Sequence, residues 1–175
     1  RAAATRRREA AATERMITRT AELHLRHIGG GGDPFESGSS RPLDFGHWSA
    51  HKLESLSRFR LLHGEAVSIG MALDLQVAAD LGFITRAEAQ HLCQALHDLG
   101  LPVWHPLLVR RQPELLQGLH EFQEHLGGRL TLAMPRPLGQ QHDLHALSGE
   151  QVQAAIARLA PWAKKKPTVP QHQPA

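Results

Sequence analysis

The sequence of 175 residues is short of aromatic side chains and has no tyrosine. Its single cysteine, Cys93, excludes a disulfide within the chain and gives no sign of an oxidising compartment. It has no run of about 18 apolar residues, and its N-terminus lacks the pattern of a signal peptide. We therefore expect a cytoplasmic protein with no membrane partner.

The chain also has only a small excess of positive over negative charge. The chain has 20 lysines and arginines against 17 acidic residues, a formal net charge of +3. The basic excess is concentrated near the two ends, in Arg6 to Arg8 and in Lys164 to Lys166, without aromatic residues between the charges. Such clusters are typical of solvated termini. We therefore expect no nucleic-acid partner.

Most of the chain has the apolar pattern of helices. Apolar residues recur at steps of three and four through five segments, which predicts helices facing a core. The predicted helices cover residues 6–28, 65–81, 86–99, 114–126 and 150–159. Two capping boxes, Thr85-x-x-Glu88 and Ser148-x-x-Gln151, mark helix starts. In the helix over residues 86–99, His97 falls mainly off the apolar stripe, as does His91, so both are interpreted as surface residues.

Only one pair of segments reads as β-structure. Residues 130–134 predict a strand, and residues 143–147 predict a short partner for it. The fold class is therefore mainly α, with at most a two-stranded β ribbon. One domain over residues 1–163 accounts for the apolar segments, and residues 164–175, which have nothing to bury, predict a disordered tail.

One polar cluster stands out against this helical background. If residues 49–57 are helical, His47, His51 and Glu54 share one face of that helix, and His63 precedes the next helix. A hairpin of the two helices would bring His47 and His63 together. Neutral imidazoles suit borderline divalent ions and leave room for a carboxylate and an open position. Because the chain has 13 histidines, the spacing alone leaves surface or core histidines as the alternative.

The sequence around these histidines carries a family resemblance. Gly46-His47-x-x-x-His51, followed by His63-Gly64-Glu65-Ala66-Val67, resembles the 3-dehydroquinate synthases and related sugar phosphate cyclases. The resemblance implies that His47 and His63 bind the metal. It implies that His51 handles protons in catalysis.

The resemblance extends upstream of the histidines. Glu36, in Asp33-Pro34-Phe35-Glu36, matches an active-site glutamate of the family. Arg26 falls on a family lysine, Asp44 on a family asparagine, and Arg41 one step from a family arginine, so these three are expected to contact the substrate. The departures bear on the substrate and not on the metal. They place the chain closest to the dehydroquinate-synthase-like cyclases of less certain substrate.

The resemblance implies the helical, C-terminal half of an NAD-dependent cyclase. Such an enzyme oxidises a phosphorylated sugar, eliminates phosphate, returns the hydride and closes the ring by an aldol step. The implied cofactors are a divalent ion, zinc or cobalt, and NAD on an N-terminal α/β domain that this chain lacks. The third metal ligand is expected to precede this chain too, and a homodimer is a further expectation. The chain begins with Arg1 and not with a methionine, which suggests a fragment. Without the third ligand and the NAD domain, we expect it to be inactive alone.

Two other interpretations stay open. A metal-dependent polyol or alcohol dehydrogenase also pairs two histidines on a helical domain. The chain could instead be a noncatalytic helical remnant, or an interaction module whose histidines bind nothing. The motif His63-Gly64-Glu65-Ala66-Val67 and the second histidine at i+4, His51, favour the cyclase.

Overall fold

A computed structural model describes residues 2–29, 42–125 and 127–165 of the chain. Glu36, Arg41 and residues 166–175 of the predicted tail lie outside these ranges. The chain divides into two compact units, Arg1–Ser39 and Ser40–Ala175.

The first unit contains one long helix, α1, from Ala2 to Gly29. This helix agrees with the helix predicted over residues 6–28. Nearly all of its described side chains are exposed, including the apolar Ile17 and Leu25. Arg26, a predicted substrate contact, lies in its last turn.

The second unit is a helical bundle with one small hairpin. Its described elements are α2 (His47–Leu56), α3 (His63–Asp80), α4 (Arg86–Asp98), α5 (Leu107–Arg110), α6 (Gln112–His125), β1 (Leu132–Pro135), β2 (Gln141–Leu144), α7 (Gly149–Leu159) and two 3-10 helices, Pro42–Asp44 and Ala160–Lys164. The predicted fold class, mainly α with a two-stranded ribbon, is confirmed.

Helix α3 forms the centre of this bundle. It packs against α2, α4 and α7, and most of its residues are buried. Ile69 and Leu73 on this helix are fully shielded from solvent. Burial of a side chain of this size stabilises a fold by about 1.5–3 kcal/mol. Helix α3 therefore contributes a large part of the core of this unit.

Local hydrogen bonds define where several helices begin. The Thr85 hydroxyl accepts from the Glu88 N–H at 3.2 Å, while the Glu88 carboxylate accepts from the Thr85 N–H at 2.7 Å. The corresponding pair at Ser148 and Gln151 closes in the same way. Both predicted capping boxes are confirmed. Together they fix the starts of α4 and α7.

The two strands of the hairpin have different bounds from those predicted. Strand β1 begins at Leu132, and β2 ends at Leu144, with these two residues paired in an antiparallel ladder. Residues 145–147, predicted as strand, have no ladder partner. The buried side chains of β1 cover the core, whereas β2 is largely polar. The alternation expected of a strand is therefore weak in β2, and its bounds were harder to predict.

His97 was wrongly predicted to be a surface residue. Its side chain is buried, whereas His91 is exposed as expected. The 3-10 helix that follows α7 places Trp162 over His97, with 5.5 Å between the ring centroids. A residue off the apolar stripe is thus buried by a segment from the other end of the unit.

Among residues 2–29, 42–125 and 127–165, no helix is both long enough and apolar enough to cross a membrane.

Candidate metal centre

Three imidazole rings come together where α2 and α3 begin. His47 is the first residue of α2, His51 lies one turn further, and His63 is the first residue of α3. The ring centroids of His47 and His63 are 5.4 Å apart, those of His47 and His51 5.7 Å, and those of His51 and His63 5.9 Å. The hairpin geometry expected from the spacing is therefore present.

A carboxylate lies between two of these rings. Glu54 Oε2 is 3.2 Å from His63 Nδ1 and 3.4 Å from His51 Nδ1. The Glu54 side chain is only 15% exposed, against 61% for His51 and 57% for His63. The Glu54 carboxylate therefore contacts one histidine of α2 and one of α3, and it is less exposed than either imidazole. His51, Glu54 and His63 also offer three ligand atoms within 4.8 Å of one another.

His47 has a different environment from the other two imidazoles. Its Nδ1 lies 3.3 Å from the Phe45 carbonyl oxygen, and its side chain is partly buried. Burial lowers the pKa of His47 below its ordinary value. The Phe45 hydrogen bond and the charge of Asp44 act in the opposite direction, while His51 and His63 add to the lowering. A lowered pKa favours the neutral imidazole, which is the form that binds metal ions.

A buried aspartate fixes the backbone on both sides of His47. Asp74 Oδ2 accepts a hydrogen bond from the Gly46 N–H at 2.9 Å, and Asp74 Oδ1 accepts one from the Trp48 indole N–H at 2.8 Å. Asp74 is 1% exposed. Burial raises its pKa to about 7, and the two hydrogen bonds partly oppose that increase.

Two glycines allow the two helices to approach closely at this point. A Cβ atom on Gly70 would overlap the carbonyl oxygen of Gly46. Gly46 itself has a φ of +83°, and a Cβ there would lie 2.5 Å from the backbone nitrogen of Met71. The start of α2 therefore lies directly against α3, which sets the separation of His47 and His63.

The remaining predicted site residues are placed as follows. Asp44 ends the 3-10 helix just before α2 and lies near His47. Arg26 belongs to the first unit, where its guanidinium is 4.0 Å from the Glu22 carboxylate. Glu36 and Arg41 lie outside the described residues.

The role of Asp74 was missed in the sequence. The signal was an acidic residue in an otherwise apolar helix, since a buried carboxylate needs hydrogen-bond donors. Its two donors lie 26 and 28 residues away in sequence. Nothing in the local pattern identifies them.

A divalent ion fits the donor set that the hairpin presents. The Phe45 carbonyl and the Glu54 carboxylate are acceptors only, so the Nδ1 atoms of His47 and His63 must donate to them. The Nε2 atom of each ring is then unprotonated in the neutral imidazole and available to a metal. Imidazole nitrogens suit zinc and similar ions.

A family model, described as 3-dehydroquinate synthase C-terminal, matches residues 1–121. Among curated relatives, the 2-epi-valiolone synthase of Actinosynnema mirum is 33% identical over 132 residues, which cover 74% of this chain and 35% of that protein. The 3-dehydroquinate synthase of Aeropyrum pernix is 36% identical over 109 residues, covering 62% of this chain and 30% of that protein. The chain thus spans about a third of the length of the curated relatives it matches.

A solved structure has the same fold over most of the chain. It is ValA, a 2-epi-5-epi-valiolone synthase from Streptomyces hygroscopicus subsp. jinggangensis 5008, with NAD⁺ and Zn²⁺ bound. The TM-score is 0.76 at 27% sequence identity, and the match covers 86% of this chain and 41% of that one. The likeness therefore extends well beyond the histidine motif.

Proposed function

Because the chain belongs to the family of 3-dehydroquinate synthase C-terminal domains, we propose that it is the metal-binding helical part of an NAD-dependent sugar phosphate cyclase. The complete enzyme would eliminate phosphate from a phosphorylated sugar and close a carbocycle by an aldol step. The observation that carries this proposal is the convergence of His47, His51 and His63 at the start of two core helices.

We assign the metal to His47 and His63. Both rings engage Nδ1 with an oxygen of this chain, which leaves Nε2 for the ion. A bound zinc or cobalt ion supplies Lewis acidity to an oxygen of the substrate. His51 lies beside both proposed ligands and is suited to move a proton to or from the substrate, since an imidazole ring has one nitrogen that can donate and one that can accept.

The other expected site residues keep the roles that the family resemblance gives them. Glu36 would act with His51 in catalysis, whereas Asp44, Arg26 and Arg41 would contact the substrate. Asp44 has support from its position near His47.

The remaining parts of the enzyme would come from sequence that this chain does not contain. ValA has both NAD⁺ and Zn²⁺ bound, and this chain matches 41% of it. We therefore propose that NAD and a third metal ligand belong to a preceding α/β domain of a longer protein. Alone, the 175-residue chain would bind a metal ion weakly and would not turn over.

The metal assignment is tested by titrating the purified chain with Zn²⁺ and Co²⁺ in a calorimeter. The wild type should bind one ion, and replacing His47 or His63 by alanine should abolish that binding. His91→Ala is the matched control, because His91 is exposed on α4 and should leave the affinity unchanged. If both H47A and H63A bound the ion as tightly as the wild type, the ligand assignment would be wrong.

Turnover is a separate measurement. The purified chain, supplied with NAD, a divalent ion and a phosphorylated sugar, should release no phosphate above background. Phosphate release that depends on both NAD and His51 would show that the chain is active alone, and would contradict the proposed division of the enzyme.

A further inference from the structure

Glu54 makes contacts that the proposed cyclase mechanism does not use. Its Oε2 atom is hydrogen-bonded to Nδ1 of His63, in the next helix, at 3.2 Å, and lies 3.4 Å from Nδ1 of His51, in its own helix. The carboxylate is mostly buried although it carries a charge. Burying a charge is unfavourable unless it is paired or hydrogen-bonded. Both imidazoles therefore act as its partners.

The backbone of Glu54 is fixed as well. Its carbonyl oxygen accepts a hydrogen bond from the Phe59 N–H at 2.8 Å and one from the Ser57 hydroxyl at 2.8 Å. Ser57 and Phe59 belong to the turn between α2 and α3. Glu54 is thus held by the turn while its side chain contacts a ring from each helix. Such a residue can transmit a fixed orientation to both rings.

The chemistry of this contact determines where the imidazole protons lie. A carboxylate oxygen accepts and does not donate, so each Nδ1 that bonds to it must carry the hydrogen. In the neutral ring, Nε2 is then the unprotonated atom. The carboxylate therefore selects this tautomer for His63, and the same oxygen, 3.4 Å from His51 Nδ1, favours a hydrogen on that atom as well.

We propose that Glu54 is the positioning residue of this site, which turns the unprotonated Nε2 atoms of His51 and His63 towards the reaction centre. The inference rests on the proposed function, since it takes His63 as a metal ligand and His51 as the proton carrier. Metal-binding histidines commonly donate their second ring N–H to a carboxylate, which fixes the ring and raises its basicity. Glu54 would do this for the ligand and for the catalytic base at once.

The competing role for Glu54 is direct coordination. His51, Glu54 and His63 offer ligand atoms within 4.8 Å of one another, so they could hold an ion without His47. The contacts favour positioning, because Oε2 already accepts a hydrogen bond from His63 Nδ1 and lies 3.4 Å from His51 Nδ1. If Glu54 positions the rings, His47 can act as a metal ligand together with His63. Its ring centroid is 5.7 Å from that of His51 and 5.4 Å from that of His63.

The first test is the imidazole tautomer in the metal-free chain, read by ¹⁵N nuclear magnetic resonance at mildly alkaline pH. In the wild type, His51 and His63 should both be protonated at Nδ1. In Glu54→Leu no acceptor remains for an Nδ1–H, so at least one of the two rings should shift towards the Nε2-protonated form. The exposed His91 is the internal control, and its ring signals should stay the same. Unchanged tautomers at His51 and His63 in E54L would overturn the proposal.

The second test is ion binding by the full chain, with Co²⁺ as the probe. E54Q should still bind one ion, about 10–100-fold more weakly than the wild type. His51→Ala should retain the ion, whereas His47→Ala should lose it. If E54Q and H51A abolished binding while H47A retained it, Glu54 would be a ligand and the positioning role would be wrong.

The two tests separate this inference from the proposed function. If neither the wild type nor any variant bound the ion, the metal assignment would fail, yet the tautomers would still decide whether Glu54 orients the rings. Unfolding curves of E54L and E54Q should show that both measurements are made on folded chain.

Discussion

Asp74 is a carboxylate in the centre of the core, and its environment makes the stability of the fold depend on pH. Burial raises its pKa from an ordinary 3.8 to about 7. The folded chain therefore holds a proton on Asp74 more tightly than the unfolded chain does. The stability associated with this proton is complete below about pH 4 and is lost as the pH rises through about 7.

Asp74→Asn removes this dependence. As the pH rises from 4 to 8, the free energy of unfolding of the wild type should fall relative to that of D74N, by about 4 kcal/mol at most. The measurement is urea unfolding of both chains at several pH values. Because the histidines that titrate in this range are common to both chains, their contribution cancels in the difference. Parallel stability curves for the two chains would contradict the expectation.

Gly70 has no space for a side chain, because α2 lies against it. Gly70→Ala should lower the free energy of unfolding by about 1–3 kcal/mol, since the new methyl group would force Gly46 away. The control is Gly64→Ala on the same helix, where nothing lies within 4 Å of the added Cβ. G64A should be neutral or slightly stabilising. Equal effects of the two substitutions in urea unfolding would argue against the close contact.

The positions of some site residues could be predicted from the sequence, and those of others could not. His47, His51 and His63 could be brought together from their spacing alone, because helix periodicity and a short hairpin leave few arrangements. Asp74 and Glu54 could not be assigned in this way. The hydrogen bonds of Asp74 come from residues at the start of α2, and the contact of Glu54 with His63 depends on how α2 packs against α3.

At the scale of elements, the turn between α2 and α3 is held in an unusual conformation. Arg58 and Phe59 both have left-handed backbone angles, with φ of 56° and 58°. This conformation is unfavourable by about 1–2 kcal/mol for a residue other than glycine. Phe59 is also 76% exposed, so its ring contributes little buried surface.

Phe59→Gly should raise the free energy of unfolding by about 0.5 kcal/mol, because relief of the backbone strain exceeds the entropy that glycine adds to the unfolded chain. Phe59→Ala is the matched control, since it removes the ring but keeps the strain. The comparison is made by thermal or urea unfolding. If F59A gained as much stability as F59G, the ring and not the backbone would be responsible.

The bounds of elements were predictable where the signal was local. The capping boxes at Thr85 and Ser148 gave the starts of α4 and α7, because the hydrogen bonds involve residues three positions apart. Helix α3 begins at His63, two residues before the predicted Glu65. The Glu65 carboxylate accepts a hydrogen bond from the Leu62 N–H at 3.0 Å, and this cap before His63 is not revealed by the apolar pattern.

At the scale of the molecule, the proposed metal site and the core share the same two helices. An ion that binds only the folded chain stabilises it by about 2.7 kcal/mol when its free concentration is 100 times its Kd. Zn²⁺ should therefore raise the melting temperature of the wild type. His63→Ala, measured with and without the ion, should show no such increase. A similar shift in both chains would indicate binding elsewhere.

The fold class was predictable because apolar periodicity runs through nearly the whole chain. The division into Arg1–Ser39 and the remainder was not predicted. Arg26 belongs to the first unit, whereas the histidine cluster belongs to the second. The burial of His97 also escaped prediction, since Trp162 covers it from a distant part of the sequence. Long-range packing of this kind leaves no trace in local periodicity.

Trp48 is buried, with its indole bonded to Asp74, and it directly follows His47 in the chain. An indole shielded from water fluoresces at a shorter wavelength than an indole in water. A paramagnetic ion nearby quenches this emission. The chain therefore contains an intrinsic optical probe beside its histidine cluster. Uptake of cobalt could be followed through the light that this tryptophan emits, without attaching any dye.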